Sequence, residues 1–265
     1  MHTWDWLTWQ GLPYLTCSLL ESWPHGFFTQ QFAARSPTEL TAVLHPSAQT
    51  YQVKQLHGNQ VLTASETESS DGNSDSPLPQ ADGLLTEQAN QAVWVCSADC
   101  TPALVADART GQVAAVHAGW RGTAARILPA AIARLQAQGS QLSDLRVAMG
   151  PAIAGEVYQV SSEVAAKVGA TALQSQKPVI EAQPVESLLE ALYQLPQPPV
   201  FADQPGHARL DVRQVNALQL EQLGMQPEQI AIAPYCTYQN PEYFFSYRRD
   251  NRKQIQWSGI VSKRR

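Results

Sequence analysis

Cysteine is scarce and scattered in this 265-residue sequence: Cys17, Cys96, Cys100 and Cys236 are all there is. Four thiols so spread cannot make the disulfide framework of a small secreted domain, so each reads as a free thiol. Basic charge is also lacking. With 18 Lys and Arg against 23 Asp and Glu, and a small basic excess in the last residues "SKRR", nothing argues for a nucleic-acid surface or an anionic membrane. Long apolar runs are missing as well. The opening "MHTWDWLTWQGLPYLTCSLL" has neither a basic n-region nor an unbroken hydrophobic stretch, so the expectation is a cytoplasmic protein with no membrane span. No Walker loop, no GxGxxG and no H-x-E paired with P-C-x-x-C occurs, which removes the ordinary nucleotide-loop and zinc-deaminase signatures.

What the sequence does have is hydrophobic content, 44%, enough for a substantial core and one domain over 1–265. Apolar runs of strand length are spaced along it. "YLTCSLL", "HGFFTQQF", "AVWVCSADC", "PALVADA", "QVAAVHAG" and "DLRVAM" read as strands bounded by turns. Helical spacing marks "TAARILPAAIARLQAQG", where Pro129 starts a second helix or bends the first, then "SSEVAAKVGA", "VESLLEALYQL" and "DVRQVNALQLEQLG". "EYFFSYRRDNRKQIQWSGIV" reads as a closing strand pair around the turn "RDN", and the Gln- and Pro-rich residues 174–208 as loop around one helix. Residues 65–80, "SETESSDGNSDSPLPQ", read as an exposed flexible insertion. Together these predict an α+β fold, a mixed β-sheet sandwich flanked by helices.

Chemistry-bearing residues gather in "VCSADCTPALVADARTGQVAAVHAGWRGT", residues 95–123. A lone strand cysteine is most often a small buried hydrophobe. Here, however, His57 closes "QLHGNQV" and His117 closes "AAVHAGW", and ionisable side chains at strand ends beside glycine are where ligands collect in mixed folds. Two imidazoles and a thiolate make a catalytic type of zinc site, three protein ligands with a fourth position open. Cys96 and Cys100 would share a face if the strand ran unbroken through 100, so spacing leaves both as candidates for the thiolate. Asp99 and Asp82 are candidates for an orienting carboxylate or general base. Gly119 and Gly122 allow close backbone approach, and Arg121 offers a forked cation for an anion beside the metal, with Arg248 of "FFSYRR" as a second. A metal-free alternative pairs Cys100 as nucleophile with His117 as base, and leaves His57 without a role. A purely structural metal would need a fourth protein ligand, Cys96 or Cys236.

The blocks "KQLHGNQV", "ADGLLT", "SADCTPALVAD", "VHAGWRGT", "MGPAIAGEVYQV" and "CTYQNPEYFFSYRRDNR" resemble the bacterial laccase-domain family over about residues 25–252. That family was first labelled polyphenol oxidase and later recognised as purine nucleoside phosphorylase with adenosine deaminase activity, some relatives being assigned to peptidoglycan editing. The resemblance implies zinc on His57, Cys100 and His117, so it selects Cys100 over Cys96. It also implies purine nucleosides and phosphate as small-molecule partners, and a monomer or homodimer. Copper is the alternative metal, but a multicopper oxidase needs many imidazoles, typically in His-x-His pairs. This sequence has six histidines and no such pair, so at most a single copper could sit in the His and Cys site and oxidise phenols weakly. After "HGFFT" the sequence runs "QQFAARSP" where the family usually has a Gly-Gly-Val-Ser turn.

Overall fold

The computed structural model describes residues 2–68, 77–173 and 183–263. In chain order its strands are β1 (Trp4–Trp9), β2 (Leu12–Cys17), β3 (His25–Phe28), β4 (Gln49–Gln52), β5 (Val61–Thr63), β6 (Gly83–Leu85), β7 (Gln91–Ser97), β8 (Thr101–Asp107), β9 (Val113–Ala118), β10 (Leu145–Met149), β11 (Gln159–Ser161), β12 (Val200–Ala202), β13 (His207–Leu210), β14 (Ile230–Ile232) and β15 (Gln256–Val261). The helices are α1 (Pro37–Leu44), α2 (Trp120–Ala124), α3 (Ile127–Ala137), α4 (Ser162–Gly169), α5 (Val185–Tyr193), α6 (Val212–Gln222) and α7 (Tyr247–Asp250). The fold is mixed α+β. None of the described helices is long and apolar enough to cross a membrane.

Two six-stranded mixed sheets, ordered β1-β2-β3-β15-β7-β4 and β14-β10-β8-β9-β6-β5, face each other, and a three-stranded sheet β11-β13-β12 lies beside them. Strand alternation explains the layering. In β7, Val93 and Val95 join Leu104 and Ala106 of β8 and Val113 and Ala115 of β9 in the core between the large sheets. The intervening Ala92 and Trp94 pack on the outside with Leu40 of α1. Likewise Ala103, Val105, Ala114 and Val116 face outward onto Ile127, Leu128, Ile132 and Leu135 of α3. A third cluster fills the space among α4, α5 and the small sheet, around Val168, Leu192, Val200 and Leu210. The apolar and small residues that read as buried strands are therefore buried on both faces, which is why they alternate so little between apolar and polar.

Several expectations need correcting. The stretch "EYFFSYRRDN" makes no strand: Ser246 accepts the Arg249 amide as an N-cap, α7 forms one turn, and Asn251 ends it in the left-handed region at φ 51°. Only β15 remains of the proposed closing pair. The Gln- and Pro-rich stretch holds α5 as expected but also β12 and β13. Strand β7 stops at Ser97, so the Cys96 and Cys100 parity argument has no strand to run along. The insertion expected at 65–80 falls in large part on positions 69–76, outside the described residues; at its flanks Ala64–Glu66 forms a capped 3-10 turn whose Glu66 pairs with Arg134 at 2.7 Å, and Gln80 bridges Lys54. The "QQF" departure forms a 3-10 turn that buries Phe32 against Phe28 and Leu40, in the outer core. Pro129 does fall in a second helix, because Arg126 at φ 58° breaks α2 from α3.

Candidate metal centre and active site

The register of the second sheet assembles the site. Gly83 of β6 lies opposite Val116 of β9, so Asp82, just before β6, falls beside His117. The β7–β8 turn, Ala98 to Cys100, ends against the same strand, since Thr101 pairs with Ala118. The third contributor is the loop between β4 and β5 that carries His57. That loop is held by Asp82: one carboxylate oxygen accepts the His57 amide at 2.8 Å and the other accepts the amides of Gly58 at 2.7 Å and Leu56 at 3.1 Å. Further hydrogen bonds come from Asn59 to the Ala125 carbonyl at 2.9 Å and from Gln55, which exchanges two with the Cys96 backbone at 2.7 and 2.8 Å. So fastened, His57 sits at φ 63°, a left-handed conformation that a side chain adopts only when its surroundings hold it.

The ligand atoms of His57, Cys100 and His117 all lie within 4.8 Å of one another. The two imidazole rings meet edge to face, 4.8 Å between centroids. His117 is buried and donates through Nδ1 to Asp82 at 2.9 Å, which leaves Nε2 to face the thiol. Gly119 is the close approach: a Cβ there would stand 2.9 Å from Cys100 Sγ and 3.3 Å from the His57 ring. Gly122 performs the same service for the His57 loop, since its Cβ would meet the Gly58 carbonyl at 2.7 Å. Because Gly119 has φ −71°, Gly119→Ala fits the backbone and acts only by pushing on the thiolate and imidazole. It is expected to weaken any metal binding by the three side chains by about tenfold or more while the melting temperature of the metal-free protein shifts little, as read by chelator competition and thermal denaturation.

Electrostatics bind the cluster together. Burial pushes the Cys100 thiol up, but the hydrogen bonds and positive character of His117 and His57 overcome it and bring the thiol down to about 6. Burial pushes the His117 imidazole down, and Asp82 and the Cys100 thiolate together raise it to about 9. Burial likewise works against the Asp82 carboxylate, yet the donors from His117 and Gly58 hold it below the usual carboxylate range. One thiolate and two imidazoles, with a carboxylate fixing the tautomer of one of them, is a donor set that fits zinc. Among the described residues no fourth His, Cys, Asp or Glu joins the three. Cys96 follows the outward parity of Trp94, and burial pushes its thiol up to about 11. Cys236 is buried elsewhere, its sulfur accepting the Ala154 amide at 3.2 Å.

Beside Cys100 a small pocket is lined by Asp99, Trp120, Ile153, Tyr158 and Val212. Asp99, at φ 86°, has both carboxylate oxygens engaged by other residues: one accepts the Thr237 hydroxyl at 2.7 Å, the other the Arg248 amide at 2.7 Å. It therefore ties α7 to the β7–β8 turn. Arg121 is exposed and lies over the Trp120 ring, 4.3 Å from its centroid; Arg248, also exposed, lies over Tyr158 at 4.8 Å and donates to the Gln159 carbonyl. Among the described residues neither arginine forms an ion pair within 4.0 Å, unlike Arg109, Arg134, Arg209, Arg213 and Arg249. Trp120 and Tyr158 were not among the residues the sequence pointed to, since an aromatic in "HAGWRG" or "GEVYQV" reads as core until the third sheet brings it to the pocket.

Comparison with known proteins matches residues 33–262 to a family described as multi-copper polyphenol oxidoreductase laccase. The chain is 51% identical over 260 residues to a protein of Synechocystis sp. named purine nucleoside phosphorylase, covering 98% of this chain and 97% of that one. It is 32% identical over 218 residues to another so named from Mycobacterium tuberculosis, covering 82% and 74%. The crystal structure of YlmD from Geobacillus stearothermophilus superimposes with a TM-score of 0.78 at 24% identity, over 97% of this chain and 98% of that one, a likeness of fold.

Proposed function

The chain belongs to the multi-copper polyphenol oxidoreductase laccase family, and from that membership we propose that it is a zinc-dependent purine nucleoside phosphorylase, working as one domain, with adenosine deaminase activity at the same centre. The observation that carries the proposal is the convergence of His57, Cys100 and His117 beside a pocket whose lining residues Trp120 and Tyr158 carry the Arg121 and Arg248 guanidinium groups on their rings. His57, Cys100 and His117 would hold the metal, which would supply Lewis acidity beside the pocket. Asp82 fixes the His117 ring through Nδ1 and the His57 loop through three amides, and so orients two of the three ligands. Arg121 and Arg248 receive phosphate, whose oxygen forms the new bond to C1′ of the ribose as the bond from C1′ to the base breaks and its electron pair leaves with the base. Asp99 positions Arg248 through its backbone and takes no proton from substrate. The six histidines support a single metal and not a copper cluster.

The test is phosphate-dependent release of base from inosine and adenosine. Omitting phosphate should abolish it, and base release that persists undiminished without phosphate defeats the proposal. Within the same assay Arg121→Lys is expected to raise KM for phosphate by roughly tenfold, the cost of replacing a two-pronged charged donor by a point charge, and to leave ammonia release from adenosine nearly unchanged. Equal losses in both reactions would assign Arg121 to the nucleoside instead. A second reading has one observation in its favour: the Cys100 thiol brought down to about 6 against a His117 imidazole raised to about 9 is also how a cysteine nucleophile and its base are arranged.

A further inference from the structure

The pocket holds a polar group that the proposed reaction has not used. Tyr158 lines it next to Cys100, is half-buried, and carries the Arg248 guanidinium on its ring. Its backbone is fixed, the amide donating to the Gly155 carbonyl at 3.3 Å and the carbonyl accepting the Leu210 amide at 3.0 Å. Its hydroxyl has no hydrogen-bond partner among the described residues. Arg121 lies over Trp120, which lines the same pocket, and the charges of Arg248 and Arg121 both act on the Tyr158 phenol. A half-buried tyrosine whose hydroxyl has no partner among the described residues, lying in the field of two guanidinium groups that form no ion pair with a described carboxylate, is an arrangement that an oxyanion completes.

We infer that the Tyr158 hydroxyl is a phosphate ligand, the neutral third donor of a subsite whose charged donors are Arg121 and Arg248. This deepens the proposed function and rests on it for the identity of the anion. The division of labour follows from chemistry. Two guanidinium groups supply charge, and a phenol supplies a directional donor that does not compete with the metal ligands for a proton. Burial and the nearby Cys100 charge push the phenol up to about 12, so it keeps its proton at neutral pH. Of the two carboxylates nearby, Asp99 has both oxygens engaged with Thr237 and the Arg248 amide, and Asp82 has both engaged with His117 and the His57 loop, so neither occupies the subsite.

Tyr158→Phe is the test, since it keeps the ring under Arg248 and removes only the donor. The expected result is a rise of about tenfold in KM for phosphate, the scale of one hydrogen bond to a charged ligand, with KM for inosine within about twofold. Calorimetric titration with inorganic phosphate alone, without nucleoside, should show the same loss in the variant. An unchanged phosphate affinity in both measurements, or a rise confined to KM for inosine, overturns the inference and gives the phenol to the nucleoside. The two measurements also separate this inference from the reaction it rests on. A wild-type protein that binds phosphate through Tyr158 but cleaves no nucleoside would defeat the proposed function and leave the subsite standing. Phosphorolysis that proceeds equally well in Tyr158→Phe would do the opposite.

Discussion

Asp82→Asn unfolds the chain at a temperature lower by about 10 °C and leaves what remains folded with affinity for the proposed zinc down by about 10- to 100-fold: that is the expected result. Every hydrogen bond to this buried carboxylate comes from a donor: His117 Nδ1 and the His57 amide on one oxygen, the Leu56 and Gly58 amides on the other. Asparagine must put its own N–H donors against one of those pairs, whichever way the amide is turned. Two bonds are lost and donor faces donor in a buried place, which costs on the order of 3–5 kcal/mol. The same carboxylate gives a pH signature. Because its donors hold Asp82 below its ordinary value of 3.8 once folded, its stabilisation is complete above that value and is lost as the pH falls through the lower, folded one. Denaturant titrations from pH 6 downward should therefore show the stability gap between wild type and Asp82→Asn narrowing in acid. A variant as stable as wild type at pH 7, with a full metal complement, would remove Asp82 from the account.

The strands and the cluster of His57, Cys100 and His117 were legible in the sequence for different reasons. Strand runs show because burial on both faces selects Val, Ala and Leu over consecutive positions, as in "TPALVAD", buried throughout. His57, Cys100 and His117 show because ligand chemistry restricts residue type, and glycine one residue after His57 and two after His117 marks the turn. What did not show depends on partners far along the chain. The α7 turn looked like a hairpin because "RDN" is a turn signal in either setting; it becomes helical where Ser246 caps it and Asp99, 149 residues away, takes the Arg248 amide. The choice of Cys100 over Cys96 was likewise invisible to spacing. It depends on β7 ending at Ser97, where Gln55 clamps the Cys96 backbone, and on Gly119 leaving room beside the Cys100 sulfur. Strands β12 and β13 hide in a Gln- and Pro-rich stretch because each is short and pairs only within the small third sheet. Tyr158 depends on that same sheet, since β11 begins at the next residue.

Whether the thiol and the imidazoles hold a metal or make a covalent catalyst is decided by the order in which two reagents act. If Cys100 is a zinc ligand, slow chelation should abolish phosphorolysis, added zinc should restore it, and iodoacetamide should react sluggishly with the holo form because the thiolate is engaged. Once the metal is removed the order reverses. The hydrogen bonds that bring Cys100 down to about 6 then leave it chiefly a thiolate at pH 7, whereas burial holds Cys17 and Cys96 near 11, as thiols. Alkylation of the apo protein should fall on Cys100 ahead of those two, and its rate should rise with pH through about 6, the direction in which the thiolate forms. Peptide mapping of the alkylated protein reads the first, a rate series from pH 5 to 8 the second. Cys100→Ala and His57→Ala should each lose zinc and lower kcat/KM by more than the roughly 10- to 100-fold expected for a group that only supports a ligand. A nucleophilic cysteine predicts otherwise at each step: the chelated protein keeps its turnover, alkylation stops the untreated enzyme at once, and His57→Ala is mild because a Cys100 and His117 pair does not need it. Undiminished metal-free turnover of inosine, together with a mild His57→Ala, would transfer the centre to covalent catalysis.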